Sequence, residues 1–183
     1  MERKTIMTIH NPKELLAAIK FASVAHGKEQ TRYYLCGIFF DKQPNKPLRL
    51  VATDGHRLHA IYTGLSDASE YKKLISTKDI KTLMTLLTIS KDDFNLLEHL
   101  DKLTEIDGRF PEYNRVIPTL NDTTTIGHYR ARHLTDTFKA FADLYKNDKS
   151  VTCTIQANDA MDAALVTVPD HDEAIAVLMP MRP

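Results

Sequence analysis

The sequence has no surplus charge of either sign: 24 Lys+Arg stand against 24 Asp+Glu. Bulk attraction to nucleic acid is thereby excluded, and only a local basic face could serve DNA. Long apolar runs are missing too. No stretch approaches the ~20 apolar residues of a membrane helix. Met1-Glu2-Arg3-Lys4 leads into an expected strand rather than a signal peptide. A cytoplasmic protein with no membrane partner is expected. Cysteine is scarce. Cys36 and Cys153 both fall in expected strands and read as small buried hydrophobes in a reducing compartment, with neither a disulfide nor a metal site expected. Catalytic groupings are absent as well. Thr53, Asp54, His56, Arg57 and His59 include no nucleophile with a base at defined spacing. His171-Asp172-Glu173 has no second ligand cluster, and no metal-binding carboxylate set supports a nuclease. No cofactor, metal or catalytic residue is expected; a binding or structural role is.

What is present is an ordinary globular balance. Hydrophobic residues make up 43% and charged residues 26% of 183, enough for one domain or one and a half. Thr5–His10 reads as a strand. Asn11-Pro12-Lys13-Glu14 starts a helix, with Asn at the N-cap and Pro at N1. Leu15, Ile19 and Ala22 carry it to about His26, and Gly27 stops it. Tyr33–Asp41, Leu48–Thr53 and Leu58–Thr63 read as strands, completing one β-α-β-β-β unit. A second unit begins with Lys73–Ile75. Ser76 or Thr77 caps its helix, which carries Ile80, Leu83, Met84 and Leu87. Phe94–Leu97 and Leu103–Ile106 follow as short strands, and this unit is truncated. Arg109–Pro118 is an irregular link. A third unit starts with Thr123–Arg130. Leu134, Phe138, Phe141 and Tyr145 recur on one face of its helix. Val151–Ala157, Ala163–Val168 and Ala174–Met179 are its strands. The chain thus reads as an α+β protein with a threefold β-α-β-β(-β) repeat.

One stretch organises the rest. Val51–Leu58, VATDGHRL, is a strand that stops in Thr53-Asp54-Gly55, where Gly can take positive φ and Asp can bond its own backbone. Three further stretches accompany it: Arg32–Gly37 (RYYLCG), Ile106–Pro118 (IDGRFPEYNRVIP) and Val177–Pro183 (VLMPMRP). In order and spacing these resemble the bacterial DNA sliding clamp, the beta subunit of DNA polymerase III, where the first of the three reads RYYLNG. Residues 5–118 are similar to the clamp's middle domain, and 123–183 to the second half of its last. The resemblance therefore divides the chain into 1–118, two units with the second truncated, and 119–183, one unit ending in a pocket strand. It implies the DNA-clamp fold, with helices on one face of antiparallel sheets. The clamp's first domain and the first half of its third have no counterpart here.

In clamps a groove between the second and third domains receives short linear motifs from polymerases, the clamp loader and repair proteins. Carried over by matching positions, the resemblance implies Leu35, Thr53, Gly55, His56, Arg57, Leu58 and Pro118 as groove residues, with Val177, Met179, Pro180, Met181 and Arg182 from the tail. The residue types suit that role. Leucine and two methionines make a deformable apolar floor, while His56 and Arg57 offer donors to peptide carbonyls. The bland reading makes Met179 and Met181 end-of-chain core, but Met-Pro-Met-Arg-Pro is an odd core strand, because proline belongs at sheet edges. Pro183 departs from the family's apolar ending.

For DNA, Arg132, Lys139 and Lys146 are spaced by seven, as are Lys13 and Lys20, so each set falls near one helical stripe. Lys78 and Lys81 open the second helix. Such stripes could hold phosphate without reading sequence; equally, any exposed helix carries lysines. Arg32, Tyr33 and Tyr34 match positions that the resemblance associates with single-stranded DNA, and stacking plus phosphate pairing suits them. The alternative is half-buried strand tyrosine. The expected function is a miniature clamp-like, non-enzymatic binder of clamp-binding motifs in DNA replication that tethers its partners to DNA, bound weakly and without sequence preference. The alternative is a soluble decoy that competes with the true clamp for partners. Uncovered edges in residues 123–168 predict a homodimer, with a larger closed ring as an extension.

Overall fold

The computed structural model of the chain describes residues 8–9, 11–28, 30–66, 70–90, 94–121, 125 and 127–181. Strand β1 (Thr8–Ile9) leads into helix α1 (Pro12–Ser23). Pro12 occupies the first helical turn, where its missing N–H costs nothing, and the Asn11 side chain makes no cap bond. Leu15, Ala18, Ile19 and Ala22 form the buried face. The helix ends at Ser23, not at His26. Beyond it Gly27 donates its N–H to Leu35 O at 2.8 Å, which draws the chain away from the helix axis.

The stretch expected as a strand from Tyr33 is divided. Gln30–Leu35 winds as a 3-10 turn, and β2 (Gly37–Lys42) begins only after it. Cys36 N–H bonds Tyr33 O at 2.9 Å, so local closure overrides the β-propensity of the two tyrosines. Gly37 is where the sheet can start, because a Cβ there would overlap Ile75 O on the neighbouring strand. Strands β3 (Pro47–Thr53), β4 (Arg57–Ser66) and β5 (Tyr71–Ser76) follow, then α2 (Thr77–Ile89). Ser76 caps α2, its Oγ accepting the Asp79 N–H at 3.2 Å.

The second unit is short. Strand β6 (Phe94–Asn95) pairs with β1 and turns at once into helix α3 (Leu96–Leu100). The expected strand Leu103–Ile106 is reduced to a single bridge, Ile75 to Glu105. Among the described residues of 123–130 there is no strand; 123, 124 and 126 lie outside them. Helix α4 (Ala131–Leu144), β7 (Thr154–Gln156), β8 (Ala164–Val168) and β9 (His171–Leu178) complete the chain. Strand β7 is three residues where seven were expected, and Ile155 is exposed. Cys36 and Cys153 lie just outside strands and are half-buried, so neither is the core hydrophobe expected.

Seven strands form one antiparallel sheet in the order β5-β2-β3-β4-β9-β8-β7. The first and third units meet at β4 and β9, where Leu58 faces Val177 and Ala60 faces Ile175. Helices α2, α1 and α4 form one layer on one face, α1 in the middle. Beneath them Leu48, Leu50, Ala52, Ile61, Ala176 and Leu178 are buried. On α4 the buried face centres on Thr137, Ala140 and Phe141, and Phe138 is 38% exposed, against expectation. His59 explains the rotation. It is fully buried on β4, its Nδ1 2.9 Å from Phe21 O and its Nε2 3.0 Å from Thr137 Oγ1. One imidazole thus ties α1, β4 and α4 together.

The opposite face is covered by the 106–117 link, whose regular structure is a 3-10 turn at Tyr113–Arg115. Phe110 stacks on Phe39 at 4.9 Å. Tyr113 donates its hydroxyl to buried Asp41 at 2.6 Å, and the Arg49 guanidinium lies 5.2 Å above its ring. Arg49 also donates to Asn114 Oδ1 at 3.1 Å. These contacts pin the 106–117 link over Val51, Leu58, Ala60, Leu74 and Val177.

Candidate functional site

The turn between β3 and β4 is built by its own side chains. Thr53 Oγ1 donates to Arg57 O at 2.7 Å and accepts the Gly55 N–H at 3.1 Å. Asp54 Oδ1 accepts the N–H groups of His56 and Arg57 at 2.9 and 3.0 Å, closing an Asx-type turn. Gly55 sits at φ 86, the left-handed region that favours glycine. Arg57 is held between two carboxylates, Asp54 at 3.1 Å and Asp136 of α4 at 3.0 Å. Met179 N–H bonds His56 O at 2.9 Å, so the tail continues the β4–β9 pairing past the last strand.

Two cavities flank this turn and share Arg32, Leu35 and Arg57. The smaller is about 170 Å³ and largely apolar. Leu35, Thr53, Gly55, Arg57, Leu58 and Met179 line it, six of the residues expected for the groove. Arg32 and Tyr34, expected to touch DNA, line it as well. Pro111, Tyr113 and Val116 of the link complete it and were not singled out from the sequence. The usable signal was apolar and aromatic side chains within an otherwise polar loop.

Other expected groove residues lie elsewhere. His56 lines the second cavity. Val177 is fully buried in β9, paired with Leu58 and Leu165. Pro118 and Pro180 are half-buried and line neither cavity. Met181 is 40% exposed, its N–H bonded to His128 O at 2.7 Å. Arg182 lies outside the described residues.

The second cavity is larger, about 440 Å³, and strongly polar. Residues 26–28, 32 and 35 meet 54–57 and 130–136 in its wall. Burial and then the positive charges of Lys28, Lys81 and Arg57 push the His26 imidazole below its ordinary range. Burial, followed by Arg57, does the same to His133, whose ring lies 6.1 Å from that of His56. Both rings therefore favour the neutral form near pH 7.

The basic residues expected on the helices, Lys13 and Lys20 of α1, Arg132 and Lys139 of α4, and Lys146 just beyond it, are all exposed. Arg132 also reaches the larger cavity. Tyr33 is 53% exposed, its ring edge-on to Tyr34 at 5.9 Å. Among the described residues no group of His, Cys, Asp and Glu could hold a metal ion, and no helix is long and apolar enough to cross a membrane.

Known proteins resemble this chain in sequence and in fold. The family model described as "DNA polymerase III beta subunit, central domain" matches residues 10–104. The beta sliding clamp of Proteus mirabilis is 36% identical over 129 residues, 62% of this chain and 33% of that protein. The beta sliding clamp of Pseudomonas aeruginosa is 27% identical over 174 residues, 88% of this chain and 46% of that protein. The chain therefore spans half or less of the length of these relatives. The crystal structure of the DNA polymerase III beta subunit from P. aeruginosa superposes with a TM-score of 0.78 at 20% identity, covering 98% of this chain and 66% of that one. The Thermotoga maritima beta subunit gives 0.78 at 15% identity, covering 100% and 67%. These likenesses establish the α+β clamp fold.

Proposed function

Because the chain belongs to the DNA polymerase III beta subunit family, we propose that it is a non-enzymatic clamp-like protein of the cytoplasm that captures short linear motifs of replication and repair proteins. The observation that carries this reading is the apolar pocket, where the β3–β4 turn, the end of β9 and the 110–116 link converge on Leu35, Leu58 and Met179. It is concave and rimmed by donors such as Arg32 and Arg57, as an anchor site for an extended peptide requires. A peptide with Gln, Leu and a terminal Leu-Phe pair should bind with a micromolar constant, about −8 kcal/mol. Fluorescence anisotropy with Met179→Glu tests this. A charge facing the apolar anchor should weaken binding at least tenfold, and unchanged affinity would remove the pocket as the binding site.

Tethering to DNA is the second half of the proposal. It draws on exposed Lys13, Lys20, Arg132, Lys139 and Lys146, in a helix layer formed by α2, α1 and α4, with Arg32 and Tyr33 nearer the pocket. Assembly would come from the third unit, whose three-residue edge strand β7 leaves Ile155 and nearby Met161 exposed. Light scattering should give a dimer or a larger ring. The balance of 24 basic against 24 acidic residues favours a second reading, a soluble competitor that withholds partners from a full-length clamp. Stimulation of a polymerase on primed DNA separates the two: the tether increases product length, and the competitor shortens it.

A further inference from the structure

The chain as a whole carries no net charge, but the wall of its larger cavity does. The 440 Å³ cavity beside the apolar pocket is walled by five cationic side chains, Lys28, Arg32, Arg57, Arg130 and Arg132, against only two carboxylates, Asp54 and Asp136. Both carboxylates are engaged by Arg57, at 3.1 and 3.0 Å. Among the described residues, Lys28, Arg32, Arg130 and Arg132 have no acidic partner within ion-pair distance, and all four are exposed. His26 adds a buried Nδ1 with no hydrogen-bond partner among the described residues. A concave wall with an excess of one sign focuses its field into the space it encloses. The cavity is thus built to receive negative charge, and no acidic group of the described residues supplies enough to neutralise it.

Arg32, Leu35 and Arg57 border both cavities, so the two adjoin and lie within reach of one extended ligand. We infer that the preferred partner is an acidic linear peptide, whose apolar anchor fills the smaller pocket while Asp or Glu residues flanking that anchor enter the larger cavity. The inference rests on the peptide-capture reading and adds a partner class to it. An adjoining apolar pocket of side-chain size favours a peptide over a nucleic acid, which would use the cations but leave Leu58 and Met179 without a role. Arginine suits the task, because its fork pairs with carboxylates in two-point geometry.

The test is a peptide series on the full chain, read by fluorescence anisotropy. One apolar anchor, ending in Leu-Phe, is flanked by Glu triplets, Gln triplets or Lys triplets. At low salt the Glu peptide should bind about tenfold tighter than the Gln peptide, the sum of several partly exposed ion pairs. The Lys peptide should bind weakest. Near 1 M salt, where charges are screened beyond about 3 Å, the three should converge. In the double variant Arg130→Glu and Arg132→Glu the order should reverse, with Lys now the best flank; circular dichroism checks that variant's fold. Equal affinity of the Glu and Gln peptides at low salt overturns the inference and leaves peptide capture standing. Failure of every peptide to bind overturns both. Displacement of the Gln peptide by oligothymidine, with no gain from the Glu flanks, would also overturn it and assign the cavity to single-stranded nucleic acid.

Discussion

The two faces of the central sheet are covered by different means. On one face α1, α2 and α4 bury a continuous core that includes Phe21, Phe40 and Phe141. On the other, an irregular link lays Phe110 and Tyr113 across Phe39, Val51 and Leu58. Helices fill space evenly, since their side chains recur at fixed spacing. A loop covers only where a bulky residue reaches down, and the gaps between such residues remain. The apolar pocket is one of those gaps, with Pro111, Tyr113 and Val116 in its wall. The helix face therefore holds the fold, and the loop face shapes the apolar pocket.

Phe141→Ala tests the first half most severely. Phe141 is fully buried and packs 4.8 Å from Phe21. Removing it should cost about 3–5 kcal/mol, seen as a lower urea midpoint. A loss of peptide affinity without a loss of stability would contradict the division of labour.

The next effect is the pH response of His59, which sits on the same face. Burial is the main cause that lowers its pKa to about 4, with the Phe21 carbonyl opposing. The imidazole is therefore neutral in the folded protein. The unfolded chain, with an ordinary value near 6.5, binds the extra proton between these limits. Stability from this group is complete above about pH 6.5 and falls as the pH drops toward 4, by about 3 kcal/mol in all. Urea titrations at pH 7 and pH 4.5 should differ more for the native chain than for His59→Gln, in which that proton site is gone. Equal pH slopes for the two proteins would show that His59 is not held neutral.

How far the sequence revealed these two faces follows from what each is made of. Strands β3 and β4, the Ser76 cap and the Asx turn at Asp54 were legible, because alternation, capping and turn chemistry are local. The 3-10 turn at Gln30–Leu35 was not. Its tyrosines favour a strand, and the bond from Gly27 to Leu35 that decides otherwise spans eight positions. Six residues carried over by resemblance line the apolar pocket, while Pro111, Tyr113 and Val116 in the same wall had no such signal, since nothing periodic marks a loop that folds onto a sheet. The cationic cavity was hidden for the same reason. Its walls come from 26–28, 32, 35, 54–57 and 130–136, and only folding brings them together.

On the loop face the expected effect is smaller. Tyr113→Phe keeps the ring contact with Phe39 but removes the hydroxyl that Asp41 accepts at 2.6 Å. Asp41 is 7% exposed, so its carboxylate loses a partner it cannot replace with bulk water. The cost should be about 1–3 kcal/mol, and the link should loosen over the pocket, lowering peptide affinity as well. A stability loss with unchanged affinity would separate the link from the site.

The smallest effect belongs to Phe138, which helical spacing placed with Phe141 but the structure leaves 38% exposed. The two residues differ by less than a turn, and the difference is set by Thr137. That side chain must reach His59 Nε2 at 3.0 Å, which rotates α4 until Phe138 falls on its flank. Phe138→Lys should therefore shift stability by no more than about 0.5 kcal/mol, as surface substitutions do, and urea denaturation measures it. Phe138→Lys in a Thr137→Val background extends the test. Valine cannot donate to the imidazole, so Nε2 becomes a buried acceptor without a partner, and α4 loses the contact that fixes its rotation. If Thr137 sets the orientation, the lysine should cost more in that background than alone, a coupling that a double-mutant cycle resolves. Equal costs in both backgrounds would place the orientation of α4 in its apolar packing against α1 instead.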